Sequence, residues 1–313
     1  PMLQIAAREK IKLWSFAAVA AVVLSVFLGA WIIDQRPVSK NDLAKAVVIA
    51  IQPNVPMDGM KYEHWKELRE LHVKLAEDQL KQLALQNNGA KDDRTKIVIF
   101  PESPMNFGFT YDRDFQQFLK EFTARNKVQV LFNAGEPTGR DNGFYNSAVL
   151  VDEYGGKIAQ YDKIHLVPFG EFVPLPEPLA GLVPSMVGNF DYGKEFDIVP
   201  LGDAKAGIMI CFESHFPTLS RQYALDGADV LVEMTNDGYL GPTPILRQHL
   251  ANAVFRAVET NRPILRVTNV GISAYIDERG GIQNPTAGYT ADSRLWNVPK
   301  SDRKATAYVK FGD

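Results

Sequence analysis

One cysteine, Cys211, occurs in the 313 residues, and it directly follows an apolar run, AGIMI (206–210). A lone cysteine is ordinarily a small buried apolar residue, so its neighbours must argue for more. Two other apolar runs also end on side chains capable of chemistry. KIVIF (96–100) is followed by Pro101-Glu102-Ser103, and the run ending near Tyr161 by Asp162-Lys163. Taken singly, Glu102 reads as a turn cap and Lys163 as a solvated charge. Taken together with Cys211, they make a base, a cation and a nucleophile. A thiol attacks as its thiolate and so needs a proton acceptor or a nearby positive charge. Glu102 can take that proton if burial raises its pKa. Attack on an acyl carbonyl creates an oxyanion, which Lys163 and the backbone N–H after the cysteine would stabilise.

Such a trio works only if separate elements carry the three residues to one place. Strands are predicted at 46–51, 96–100, 128–133, 206–210, 229–234, 263–268 and 272–277, with a hairpin at 144–151 and 157–162. Helical spacing marks 60–86, 113–125, 216–226 and 245–260. The central strands are almost wholly apolar, the pattern of strands covered on both faces in a layered α/β domain. Ligands of such folds gather beyond the carboxyl ends of strands, which is where Glu102, Lys163 and Cys211 all stand. The turn at 211–216 resembles other strand-to-helix elbows that present a nucleophile.

Ahead of this domain, residues 13–33 form an uncharged apolar stretch with Trp14 and Trp31 near its ends. As a helix it would rise roughly 31 Å, the thickness of a bilayer's hydrocarbon core. It is longer than the core of a signal peptide and ends in WIIDQ rather than a small-residue cleavage site. Residues 1–12, with Arg8, Lys10 and Lys12, read as a cytoplasmic flank. Residues 34–45 read as a linker, and 46–313 as one catalytic domain on the other side of the membrane. The net charge of −3, without a basic block, gives no footprint for nucleic acid. One cysteine and five scattered histidines show no metal-binding spacing, and no metal or cofactor is expected.

The stretches FPES (100–103), FYNSAV (144–149), YDKIHLVPFGEFVP (161–174), ICFE (210–213), TNDGYLG (235–241) and RQHLANAVFRAVETNRPILRVTNVGISA (247–274) resemble the nitrilase superfamily. Within it they resemble the apolipoprotein N-acyltransferases, KIHLVPFGEFVP being the most specific. The resemblance implies a four-layer αββα sandwich, here preceded by a transmembrane helix. It implies Glu102 as general base, Lys163 as oxyanion stabiliser and Cys211 as the nucleophile that holds the acyl thioester. Glu171 matches a further essential acid that orients Lys163 and the base. Glu213 matches the acid two places after the nucleophile, and Asn146 the asparagine of the YN motif. Phe212 stands where the family usually has tyrosine, and Tyr239-Leu240 where it often has Trp-Phe. Family members carry several membrane helices before this domain and one after it, so the chain is expected to be a piece of a longer protein.

The activity implied is ping-pong acyl transfer from a phospholipid to the N-terminal amine of a diacylglyceryl-modified apolipoprotein. It would take place at the bacterial inner membrane, on the periplasmic side. The apolar, proline-rich segments 172–190, with Leu179, Leu182 and Val183, and 239–246, with Tyr239, are expected to form a lid on the bilayer. Two alternatives stay open: a membrane-anchored carbon–nitrogen hydrolase acting on a small amide, and a tethered binding module without activity.

Overall fold

The computed structural model describes residues 13–35, 43–57, 65–87, 90–102, 108–140, 143–175, 190–302 and 304–312. The chain divides into two compact units, an N-terminal helical one and an α/β body from residue 39 onward. The first contains helix α1 (Leu13–Asp34), apolar on all sides and unburied. Its 22 residues are long and apolar enough to cross a bilayer.

The body is built on two sheets. The first has the order β13-β1-β2-β3-β4-β5, with β6 beside β4. Its strands are β1 (Leu43–Gln52), β2 (Thr95–Ile99), β3 (Gln129–Pro137), β4 (Phe144–Val151), β5 (Lys157–Asp162), β6 (Phe190–Asp191) and β13 (Asp292–Pro299). The second has the order β12-β11-β10-β9-β8-β7. These are β7 (Ile198–Leu201), β8 (Ala204–Ile210), β9 (Val230–Thr235), β10 (Ile264–Thr268), β11 (Ala274–Ile276) and β12 (Ile282–Gln283). Parallel ladders join β1 to β2 and β2 to β3 in one sheet, and β8 to β9 and β9 to β10 in the other.

The two-residue period of the strands sets the layers. Val47, Ile49 and Ile51 of β1 pack with Ala76 and Leu83 of α2 (Trp65–Gln86) and with Phe115, Leu119 and Phe122 of α3 (Arg113–Asn126). The intervening Ala46, Val48 and Ala50 turn the other way, into a core shared with Ile208, Ile210, Val230 and Val232 of the second sheet. Leu219 and Tyr223 of α4 (Pro217–Leu225), with Leu250, Ala253 and Ala257 of α5 (Ile245–Thr260), cover the second sheet's outer side. The layering is therefore αββα, as the family resemblance implies. A short α6 (Ala307–Phe311) lies near the end of the chain.

One polar side chain stitches the two sheets. Gln52, fully buried, accepts from the hydroxyls of Thr268, Ser273 and Thr286 through Oε1 and donates to the carbonyls of Ala287 and Thr290 through Nε2. The structure departs from the sequence expectation mainly at sheet margins. β1 starts at Leu43 rather than 46. The strand beside it is β13, whose sequence DSRLWNVP mixes polar and apolar residues because one side of an edge strand meets solvent.

Candidate active site

Three strand ends from two different sheets converge on one cavity of about 510 Å³, lined by Glu102, Lys163 and Cys211. Glu102 follows β2 and Lys163 follows β5, both in the first sheet; Cys211 follows β8 in the second. Lys163 Nζ lies 2.9 Å from Glu171 Oε1 and 3.8 Å from Glu102 Oε1. The Cys211 side chain lines the cavity with them, within reach of the Glu102 and Lys163 charges.

The neighbours hold these groups by hydrogen bonds rather than by bulk. Asn146 Nδ2 donates to Glu171 Oε1 at 2.6 Å and to Glu102 Oε1 at 3.2 Å, while its Oδ1 accepts from Asn133 Nδ2 at 2.6 Å. The Asn236 N–H donates to Glu102 Oε2. Glu171 Oε2 accepts from the Val167 N–H, so Glu171 is tied to its own loop as well as to Lys163. Glu213 lies wholly buried, outside the cavity lining. It accepts from Tyr161 Oη, the Ile164 N–H and the His165 N–H through Oε1, and from the Ile210 N–H through Oε2. It thereby binds the strand end that bears Lys163 to the strand end that bears Cys211.

The electrostatics follow from burial and proximity. Burial raises the Glu102 pKa, and Glu171 adds to the rise while Lys163 opposes it. Burial works against the Lys163 ammonium, but Glu102 and Glu171 outweigh it and hold the charge above its ordinary range. Burial, reinforced by the Glu102 charge, pushes the Cys211 thiol well up despite Lys163. The resting sulfur is therefore a neutral thiol beside a carboxylate poised to take its proton. Cys211 itself has φ 52°, in the left-handed region, between the extended Ile210 and a 3₁₀ turn over Cys211–His215. A non-glycine residue there costs of order 1–3 kcal/mol and persists only where surrounding contacts enforce it.

Besides Glu213, the other residues singled out from the sequence divide into two groups. Asn146, Glu171, Phe212 and Tyr239 line the same cavity. Tyr239 is half exposed at its mouth, with Phe169 and Ile245. Burial, then the Glu102 charge, pushes the Tyr239 phenol up to about 12. Leu179, Leu182 and Val183 lie outside the described residues.

This constellation brings a thiol, a carboxylate and an ammonium together in one cavity. A family model described as carbon-nitrogen hydrolase matches residues 48–293. The chain belongs to the carbon-nitrogen hydrolase family. It is 36% identical over 221 residues to the apolipoprotein N-acyltransferase of Geobacter metallireducens, covering 69% of this chain and 42% of that protein. With the apolipoprotein N-acyltransferase of Thermotoga maritima it shares 32% identity over 269 residues, covering 85% of this chain and 48% of the relative. The chain thus spans less than half the length of these two relatives. Among solved structures, the amidase of Nesterenkonia sp. superposes with a TM-score of 0.57 at 17% identity, covering 87% of this chain and 96% of that one. At that identity the likeness speaks for the fold.

Some residues around the site were not picked out from the sequence. Glu233, Asp237, Arg266 and His249 form a second buried charge cluster behind Cys211. Arg266 pairs with Glu233 through Nη1 and with Asp237 Oδ2 at 2.8 Å through Nη2. His249 Nδ1 lies 2.7 Å from Asp237 Oδ1. Burial works against the Asp237 charge, but Arg266 and His249 overcome it and hold the carboxyl at about 2. A sequence signal existed: Glu233 and Arg266 are the charged members of the apolar runs VLVEMT and ILRVT, and they stand opposite each other in the parallel β9–β10 register.

Proposed function

We propose that this domain transfers a fatty acyl chain through a thioester on Cys211, from a phospholipid to the N-terminal amine of a diacylglyceryl-modified apolipoprotein. The observation that carries the reading is the convergence of Cys211, the Glu102 carboxylate and the Lys163 ammonium on one cavity whose mouth is apolar. The names of the relatives supply the substrate class.

In the first half-reaction Glu102 takes the thiol proton as sulfur attacks the ester carbonyl. The oxyanion develops against the Lys163 ammonium and the Phe212 N–H. The carbon–oxygen bond then breaks, Glu102 returns the proton to the leaving alcohol, and a lysophospholipid departs. In the second half-reaction the neutral α-amine attacks the thioester and the sulfur–carbon bond breaks. The proton lost by the nitrogen passes through Glu102 to the Cys211 thiolate. Glu171 and Asn146 keep Lys163 and Glu102 in register, while Glu213 fixes the distance between the two strand ends. Phe212 cannot supply a hydroxyl, so its contribution is its backbone N–H and an apolar wall.

Both substrates are lipids, which suits a domain tethered by α1 with its basic flank in the cytoplasm and the body on the periplasmic side of the inner membrane. The half-exposed Phe169, Tyr239 and Ile245 at the mouth would meet the bilayer and admit the acyl chain. The test is incubation of the detergent-solubilised full chain with a phospholipid and a diacylglyceryl-cysteine peptide, read by mass spectrometry. The reading expects an N-acylated peptide and a lysophospholipid in equal amounts. Release of ammonia from small amides, with no acylated peptide, would instead favour a hydrolase.

A further inference from the structure

We infer that His249 is a positioning residue for the oxyanion hole, clamping the Cys211–Phe212 peptide through its carbonyl so that the Phe212 N–H faces the oxygen of the acyl group. The inference deepens the acyl-transfer reading and rests on Cys211 being its nucleophile. His249 Nε2 lies 3.2 Å from the Cys211 carbonyl oxygen, which also accepts from Ser214 Oγ at 3.3 Å. The carbonyl and the N–H of a planar trans peptide point in opposite directions. Holding the Cys211 oxygen therefore fixes the bearing of the Phe212 N–H, away from His249. That N–H lies ahead of the first hydrogen-bonded turn of the 3₁₀ segment, where it has no acceptor within the turn.

The clamp is needed because the elbow is strained. Cys211 sits at φ 52°, and nothing intrinsic to a cysteine keeps it there. Rotation of the 211–212 peptide, about ψ of Cys211 and φ of Phe212, would turn the N–H out of the site. The hydrogen bonds also specify how His249 is protonated. Its Nδ1 faces the Asp237 carboxylate, and its Nε2 faces both the Cys211 carbonyl and Glu233 Oε1 at 3.3 Å. A carbonyl oxygen can only accept, so the clamp acts with hydrogen on Nε2. A donor on the carbonyl also polarises the same peptide and strengthens its N–H as a donor to the oxyanion.

Two reactions of the single cysteine separate this role from general damage. Acylation by a 4-nitrophenyl ester passes through an oxyanion, whereas alkylation by iodoacetamide does not. The expected result for His249→Gln in the full-length chain is a burst of 4-nitrophenolate slowed by about 10²-fold, the usual loss of one oxyanion donor. Alkylation should keep the wild-type rate and pH profile. Asp237→Asn, which keeps the side-chain volume but loosens the hold on His249, should show the same split to a smaller degree. It decides the matter if His249→Gln does not fold. Equal slowing of both reactions, or an unchanged burst, overturns the clamp. A wild-type protein that is alkylated at Cys211 but gives no burst removes the acyl-transfer reading, and the clamp with it.

Discussion

Two buried charge clusters flank Cys211, and their difference separates what a site needs from what a fold needs. Glu102, Lys163, Glu171 and Asn146 line the cavity, and the Lys163–Glu102 pair at 3.8 Å is longer than the Lys163–Glu171 pair at 2.9 Å. Glu233 and Arg266 stand outside the cavity lining, and Asp237, almost wholly buried at its edge, is held by Arg266 at 2.8 Å and by His249 at 2.7 Å. In the open cluster burial raises the Glu102 pKa, which keeps a base ready at a cost in stability. In the closed cluster Arg266 and His249 prevail over burial, and the Asp237 carboxylate is firmly ionised. The first is tuned for proton transfer, the second for holding β9, β10 and the helix of His249 behind the nucleophile.

The widest gap should appear with Glu102→Gln. Acyl transfer should fall by about 10²–10⁴-fold, the range for losing a general base. The melting temperature should stay level or rise, because an ionised carboxylate disfavoured by burial has been removed. A large drop in melting temperature would mean that the open cluster is structural too. Arg266→Met gives the converse: it strands Glu233 and Asp237 as buried charges and should destabilise the fold by about 3–5 kcal/mol in urea unfolding. A fully stable variant would break the assignment of the closed cluster to the fold.

A smaller perturbation reaches the closed cluster from outside. A Cβ on Gly271 would lie 2.0 Å from Asp237 Oδ2 and 2.7 Å from its Cγ. Gly271→Ala should therefore push Asp237 from Arg266 and cost about 1–3 kcal/mol, as overpacking does, measured by the same unfolding curves. The pH dependence sharpens the contrast last. Asp237 is depressed from 3.8 to about 2, so its contribution is present above the unfolded value and is lost as pH falls through the folded one. That contribution is on the order of 2 kcal/mol. The stability gap between wild type and Asp237→Asn should narrow between pH 5 and pH 2. Glu102 has the opposite sign: raised in the fold, it gains its proton before the unfolded chain does and takes no stability away as pH falls. A constant gap across that window would contradict the ion pairing of Asp237.

Cys211, Glu102 and Lys163 were legible in the sequence because each follows an apolar run, and strand ends are where an α/β fold exposes side chains. Their union across two sheets was not, since no local pattern states which strand ends face each other. Glu213 illustrates the limit: its place after the cysteine is visible, but its bonds to the backbone of Ile164 and His165 depend on how β5 meets β8. His249 lies on α5 among ordinary helical spacing, and only the packing of that helix brings its ring to the Cys211 carbonyl. β13 escaped for a different reason: an edge strand with one wet side need not read as an apolar run.

The most direct test of the central claim is mass spectrometry of the peptide containing Cys211, after the membrane-reconstituted chain has been incubated with phospholipid. A fatty-acyl adduct on Cys211 that hydroxylamine removes, and that Glu102→Ala and Cys211→Ala lack, is the result predicted. Acyl transfer to the apolipoprotein amine with no such adduct on wild-type Cys211, or with activity surviving in Cys211→Ala, would contradict it.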